Sequence, residues 1–168
     1  MLCSLGGSPW VELVYAGCHY KLERYTAQDK VIESISAIEK KCLPRTLALS
    51  AEELRAVVKR PNTVLLYATP RHGSVEVYGY LLAFQNRFAL HISKVVVAKP
   101  HRRCGVARAL IQEVFSCTKK GSATLHVDPA NTAALALYNS IGFEVDGILE
   151  DYYSAGKPAH KLAKQLEQ

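Results

Sequence analysis

Residues 95 to 120 read Val-Val-Val-Ala-Lys-Pro-His-Arg-Arg-Cys-Gly-Val-Ala-Arg-Ala-Leu-Ile-Gln-Glu-Val-Phe-Ser-Cys-Thr-Lys-Lys. The opening β-branched run predicts a buried strand, because branched side chains fit a pleated surface and Pro100 ends the ladder. Val106, Leu110 and Val114, with a second row at Ala107, Ile111 and Phe115, predict a helix. Lys119 and Lys120 suit its last turn, and Gly121 its stop. Between strand and helix lies His101-Arg102-Arg103-Cys104-Gly105. Gly105 lets backbone approach a ligand closely, and a helix start leaves N–H donors unpaired at the positive end of its dipole. With two arginines beside them, these donors suit phosphate oxygens. A solvated basic turn accounts for the same residues, so the rest of the chain must decide.

At 168 residues, with 49% apolar and 21% charged, the chain reads as one domain able to bury a real core. No apolar run approaches the length of a membrane span, and Met1 to Gly7 lack the features of an export signal. Cys3, Cys18, Cys42, Cys104 and Cys117 are scattered without Cys-x-x-Cys spacing, which points to a reducing compartment rather than a zinc site or disulfide framework. The histidines also lack metal-ligand spacing, so no metal is expected. A cytoplasmic monomer is the expectation. The net charge of +6 suits an anionic ligand or a ribosomal surface. The basic residues are spread out, however, and no nucleic-acid motif appears.

In chain order, residues 1–17 read as an N-terminal arm or edge strand ahead of a domain at 18–168. A strand is expected at 18–26, and a helix at 29–41 with Val31, Ile32, Ile35 and Ile38 as its apolar stripe. Ser50 and Glu53 form a capping box for a short helix ending near Lys59. Strands at 63–68, 75–84 and 89–98, joined by turns at 71–74 and 85–87, predict an antiparallel meander. The helix of the opening stretch then spans 105–120. A strand at 123–127 completes a right-handed parallel crossover. Asn131 caps the next helix, which Gly142 ends. Ala134, Leu137 and Ile141 are expected to face inward. Segments 143–149 and 160–166 close a last hairpin. The fold class is α/β (α+β): one domain with a mixed, mostly antiparallel sheet flanked by helices.

Arg102-x-x-Gly105-x-Ala107, after a Val-rich strand and opening a helix, resembles the pyrophosphate loop of the GNAT superfamily of N-acetyltransferases. Asn131-x-x-Ala134-x-x-Leu137-Tyr138-x-x-x-Gly142-Phe143 resembles that superfamily's second signature, the helix beside the coenzyme A arm. The resemblance implies acetyl-CoA as cosubstrate. Val95 and Val97 would offer backbone groups to the pantetheine. Arg102, Arg103, Cys104, Gly105, Val106 and Ala107 would hold the pyrophosphate, with Asn131 and Tyr138 near the thiol. A Tyr138 phenol can donate a hydrogen bond to a leaving thiolate, or it can simply pack in the core. Cys104 is better read as a small side chain in a crowded turn than as a nucleophile, since a nucleophile needs a placed base.

Leu125-His126-Val127, Asp151-Tyr152-Tyr153 and Ala159-His160-x-Leu162 resemble, within that superfamily, the N-terminal acetyltransferases of the NatE and RimI types. That resemblance implies a Tyr152–Tyr153 pair covering the first residues of a peptide, with Leu43, Pro44 and Arg45 as the other wall. The NatE pattern has an aromatic where this chain has Leu43. His126 matches the NatE base, and histidine titrates in the useful range. His91 stands where a tyrosine is usual, either as a second base or as an exposed edge residue. His101 and His160 are assigned to the surface and the hairpin, and nothing argues for function at His19 or His72.

The implied activity is acetyl transfer to the α-amine of a protein or peptide N-terminus, Met-starting by the NatE resemblance, in a ternary complex. An auxiliary subunit anchoring the enzyme to the ribosome is the implied partner. The rivals are a GNAT acting on a small amine or internal lysine, and a coenzyme A-binding adaptor without turnover.

Overall fold

The structure is a computed structural model that describes residues 10–15, 18–71 and 76–167. Its strands are β1 (Trp10–Tyr15), β2 (Cys18–Arg24), β3 (Thr63–Pro70), β4 (Gly79–Gln85), β5 (Ala89–Val97), β6 (Ser122–Val127), β7 (Glu144–Ser154) and β8 (Lys157–Gln165). The α-helices are α1 (Asp29–Cys42), α2 (Ala51–Val58), α3 (Val106–Ser116) and α4 (Thr132–Ile141). One mixed sheet has the order β1-β2-β3-β4-β5-β6-β8-β7. β5 and β6 run parallel, from Ala89 opposite Ser122 to Ile92 opposite Leu125. The pairs β1–β2, β2–β3, β6–β8 and β7–β8 are antiparallel. Among the described residues no helix is long and apolar enough to cross a membrane.

The chain forms two compact units, one of residues up to 83 with 94–117, the other of 84–93 with 118 onward. In the first, α1 buries Val31, Ile32, Ile35 and Ile38, as its spacing predicts. Ser50 Oγ accepts from Glu53 N while Ser50 N donates to Glu53 Oε2, so the capping box of α2 is complete. Helix α3 buries Val106, Leu110, Ile111 and Val114. It stops at Ser116, so Lys119 and Lys120 lie beyond its last turn. Ser116 Oγ donates to Glu113 O, and Thr118 Oγ1 accepts from Lys120 N. Short hydroxyl side chains that bond nearby backbone compete with the helical ladder in this way.

Strand β4 begins at Gly79, not at 75. Val77 N donates to Ser34 Oγ of α1, whereas Tyr78 still donates to Ala68 O and accepts from Ala98 N while its ring stacks on His101 with centroids 3.6 Å apart. Residue 75 and the turn at 72–74 lie outside the described residues. Gly79 sits so close to β5 and α3 that a Cβ there would lie 2.9 Å from Val96 O and 3.1 Å from Val106 Cγ1.

In the second unit β6 alternates cleanly, burying Ala123, Leu125 and Val127 while Thr124 and His126 take the other face. Asn131 Oδ1 accepts from Ala134 N at the start of α4, and Gly142 ends it at φ 93°. Ala134, Leu137 and Ile141 are only half-buried. The residue α4 buries is Tyr138, whose ring meets Phe143 edge-on at 5.8 Å. Ala134, Leu137, Tyr138 and Ile141 share one stripe at i, i+3, i+4 and i+7, so the three expected residues do face inward and Tyr138 goes deepest beside them.

Candidate active site

Strand alternation brings two histidines onto one surface of the second unit. His91 lies directly opposite Thr124 in the parallel ladder, and its Nδ1 is 3.0 Å from Thr124 Oγ1. His126, two residues further along β6, therefore points the same way. The His91 and His126 ring centroids are 5.0 Å apart.

Tyr152 completes the row. Its hydroxyl is 2.9 Å from His126 Nδ1, and Tyr153 meets the Tyr152 ring edge-on at 4.9 Å. Local backbone explains how the tyrosine pair gets there. Asp151 adopts the left-handed conformation at φ 53°, and its carboxylate accepts from Gly156 N. The β7–β8 register shifts between Leu149 and Ser154, a bulge that re-aims side chains.

The electrostatics of this row favour uncharged groups. Desolvation holds His126 below the ordinary histidine value, and Lys161, its cross-strand neighbour on β8, adds to that. His91 is lowered as well, by burial first and then by His126. Burial pushes the Tyr138 phenol up to about 12, with Tyr153 contributing. Tyr153 is raised by burial, then by Tyr152 and Asp128. At neutral pH the cluster thus holds neutral imidazoles, which can accept a proton, and a protonated Tyr138, which can donate one.

The residues expected to bind an anion lie in the first unit. Gly105 is the N-cap of α3 at φ 71°, and no side chain caps the helix. Arg103 is also left-handed, at φ 65°. Two left-handed residues around Cys104 curl the backbone into the start of α3, and Arg102 and Arg103 are exposed beside it. Arg102 Nε donates to Val97 O at 3.1 Å, so this arginine folds back over its own strand. Val95 and Val97 are half-buried, on the face opposite Leu90, Ile92 and Val96. An uncapped first turn with two arginines fits a pyrophosphate.

Leu43, Pro44 and Arg45 begin the α1–α2 connection; Leu43 is half-buried, and the other two are exposed. A cleft of about 430 Å³ also exists in the first unit, lined in part by Lys21, Glu23, Gln28, Tyr67 and Thr69. None of the expected site residues lines it, and its polar groups bond one another, as in Tyr67 Oη to Gln28 Oε1 at 2.7 Å. Among the described residues no group of three or more metal-binding side chains converges.

The model of the acetyltransferase (GNAT) family matches residues 32–143, and the chain belongs to that family. N-alpha-acetyltransferase 50 of Danio rerio is 33% identical over 88 residues, which cover 49% of this chain and 52% of that protein. The match thus spans about half the length of that relative. The NAA10 catalytic subunit of the N-terminal acetyltransferase A complex of Arabidopsis thaliana is 26% identical over 158 residues, covering 87% of this chain and 78% of the relative. Among solved structures, Ard1 of Thermoplasma volcanium superposes with a TM-score of 0.75 at 21% identity, over 88% of this chain and 99% of that one. That last likeness is one of fold.

Two features of the site escaped the sequence. Thr124 as the partner of His91 was legible in principle, from the parity of β5 and β6. The bond between Tyr152 and His126, 26 residues apart, had no sequence signal, because it depends on the bulge after Leu149.

Proposed function

We propose that the chain is an acetyl-CoA-dependent Nα-acetyltransferase that modifies the α-amine of protein or peptide N-termini, Met-starting ones first, by direct transfer in a ternary complex. The observation that carries this reading is the row His91–His126–Tyr152, a depressed imidazole bonded to the first ring of a tyrosine pair. A free α-amine has a pKa of about 7.7–8.0 and needs only a weak base, whereas a lysine amine, near 10.4, needs more help. A neutral imidazole matches the first task.

In this reading acetyl-CoA supplies the activated acetyl group. The residues of this chain bind, orient and move protons. The α3 N-terminus with Arg102 and Arg103 holds the pyrophosphate. Backbone groups of Val95 and Val97, with Asn131, align the arm. His126 takes the proton of the incoming amine at Nε2, which requires Nδ1–H to donate to the Tyr152 phenol. His91, aligned by Thr124, stands next to it. Tyr138 keeps its proton at neutral pH and donates a hydrogen bond to the departing thiolate. Leu43, Pro44, Arg45, Tyr152 and Tyr153 contact the peptide. Trp10–Tyr15 supply the edge strand of the catalytic domain's sheet, the second of the two readings the sequence allowed for the segment before residue 18. The setting is a cytoplasmic monomer that a ribosome-anchoring subunit can recruit.

The test mixes the purified chain with acetyl-CoA and peptides differing in their first two residues, alongside an N-blocked lysine peptide and a polyamine. Release of coenzyme A on Met-starting peptides is expected. Release only on the lysine peptide or polyamine would overturn the substrate assignment, and silence with coenzyme A still bound would overturn the activity.

A further inference from the structure

The α1–α2 connection is tied to strand β5 through a buried carboxylate that the transfer chemistry does not use. Glu39, on the last turns of α1, is fully buried. Its Oε1 accepts from Tyr80 Oη of β4, and its two oxygens lie 3.0 and 2.9 Å from Lys94 Nζ of β5. Oε2 also accepts from Leu49 N at 2.8 Å. Lys94 Nζ donates in addition to Leu47 O. One ion pair thus grips the connection at both Leu47 and Leu49. Burying a charge pair is costly, and pairs of this kind add little net stability over apolar packing. What this one does geometrically is clear: it sets where residues 43–50 run relative to β5.

Parity gives the knot its meaning. Lys94 points towards α1, and the residue that follows it is Val95, the first of the two valines assigned to the acetyl-CoA arm. Leu43, Pro44 and Arg45 open the same connection that Lys94 holds at Leu47. We infer that the Glu39–Lys94 pair, with Tyr80, is a positioning device that fixes the acceptor-side loop 43–50 against the acetyl-donor strand and so sets acceptor affinity and first-residue preference. This deepens the reading above and rests on it for the role of residues 43–45. Neither Glu39 nor Lys94 touches a reacting atom.

The experiment compares wild type with Glu39→Gln and with Lys94→Met, using amide hydrogen exchange at residues 43–50 of the free protein, acetyl-CoA affinity, and acceptor KM and kcat. The expected result is faster exchange at Leu47 and Leu49 and an acceptor KM raised about tenfold, with acetyl-CoA affinity unchanged. Unchanged exchange would overturn the clamp, and faster exchange with unchanged acceptor KM and preference would overturn its role in positioning. A parallel loss of acetyl-CoA affinity would mark the pair as general scaffolding and overturn the inference too. Should either variant fail to fold, Tyr80→Phe removes a single donor from Glu39 and is read in the same way. The exchange measurement needs no substrate. If the wild type proves to use a lysine or polyamine, the Nα assignment fails on its own, and the clamp is then judged on the KM of that acceptor.

Discussion

His126 is where the chemistry of this chain narrows to one atom. Its imidazole is held below its ordinary value by desolvation and by Lys161, so protonation of the folded protein is complete only well under pH 6.5. The sign for activity follows directly. A base must be neutral, so kcat/KM should fall as pH drops through that lowered value, while the α-amine adds a rise up to about pH 8. In kcat, read at saturating peptide so that the free amine's own titration drops out, the acid limb should therefore lie below 6.5, and a kcat limb above 6.5 would contradict the lowering of His126. His126→Ala should lower kcat about 10²- to 10⁴-fold without changing acetyl-CoA affinity. Unaltered kcat would remove His126 from the proton path. The residue types of the cluster were readable from sequence, since strand parity alone aims His91 and His126 the same way. Their contacts were not, because Tyr152 reaches His126 only through the left-handed Asp151 and the bulge around it.

At the level of elements, the sequence located each α-helix and strand of the described chain, but drew the last hairpin short, since β7 runs on to Ser154 and β8 starts at Lys157. Helix α3 loses its expected last turn to Ser116 and Thr118. Strand β4 starts late because Val77 N bonds the Ser34 hydroxyl of α1. Helix α4 turns Ala134, Leu137 and Ile141 inward as expected, with Tyr138 deepest on the same face. A tight backbone junction lies at Gly79. An added methyl would meet the Val96 carbonyl at 2.9 Å, with Val106 and Val97 side chains at 3.1 Å, and the carbonyl cannot move without disturbing β5. Gly79→Ala should cost about 1–3 kcal/mol, which for a chain of this size lowers Tm by about 2–4 °C per kcal/mol. Calorimetry showing no change would mean that β5 and α3 yield more easily than their packing implies.

For the whole molecule, the fold was legible because two signatures flank a strand that must return in parallel, leaving few topologies open. The ionic knot at Glu39 was not legible, since its partners come from α1, β4, β5 and a loop distant in sequence. Binding at the α3 N-terminus should register on global stability. Acetyl-CoA at one hundred times its Kd adds about 2.7 kcal/mol to the folded state, a rise in Tm of about 5–11 °C. Arg102→Glu should abolish most of that rise, and an undiminished rise would place the pyrophosphate elsewhere. The ring row of the second unit has one more consequence. His91, His126, Tyr152 and Tyr153 stand in sequence at centroid spacings of 5.0, 4.8 and 4.9 Å, so each ring lies within the magnetic shadow of the next. Gain or loss of one proton at His126 will shift the proton resonances of the neighbouring tyrosines, so the state of the base can be watched by NMR in a protein that has met no substrate at all.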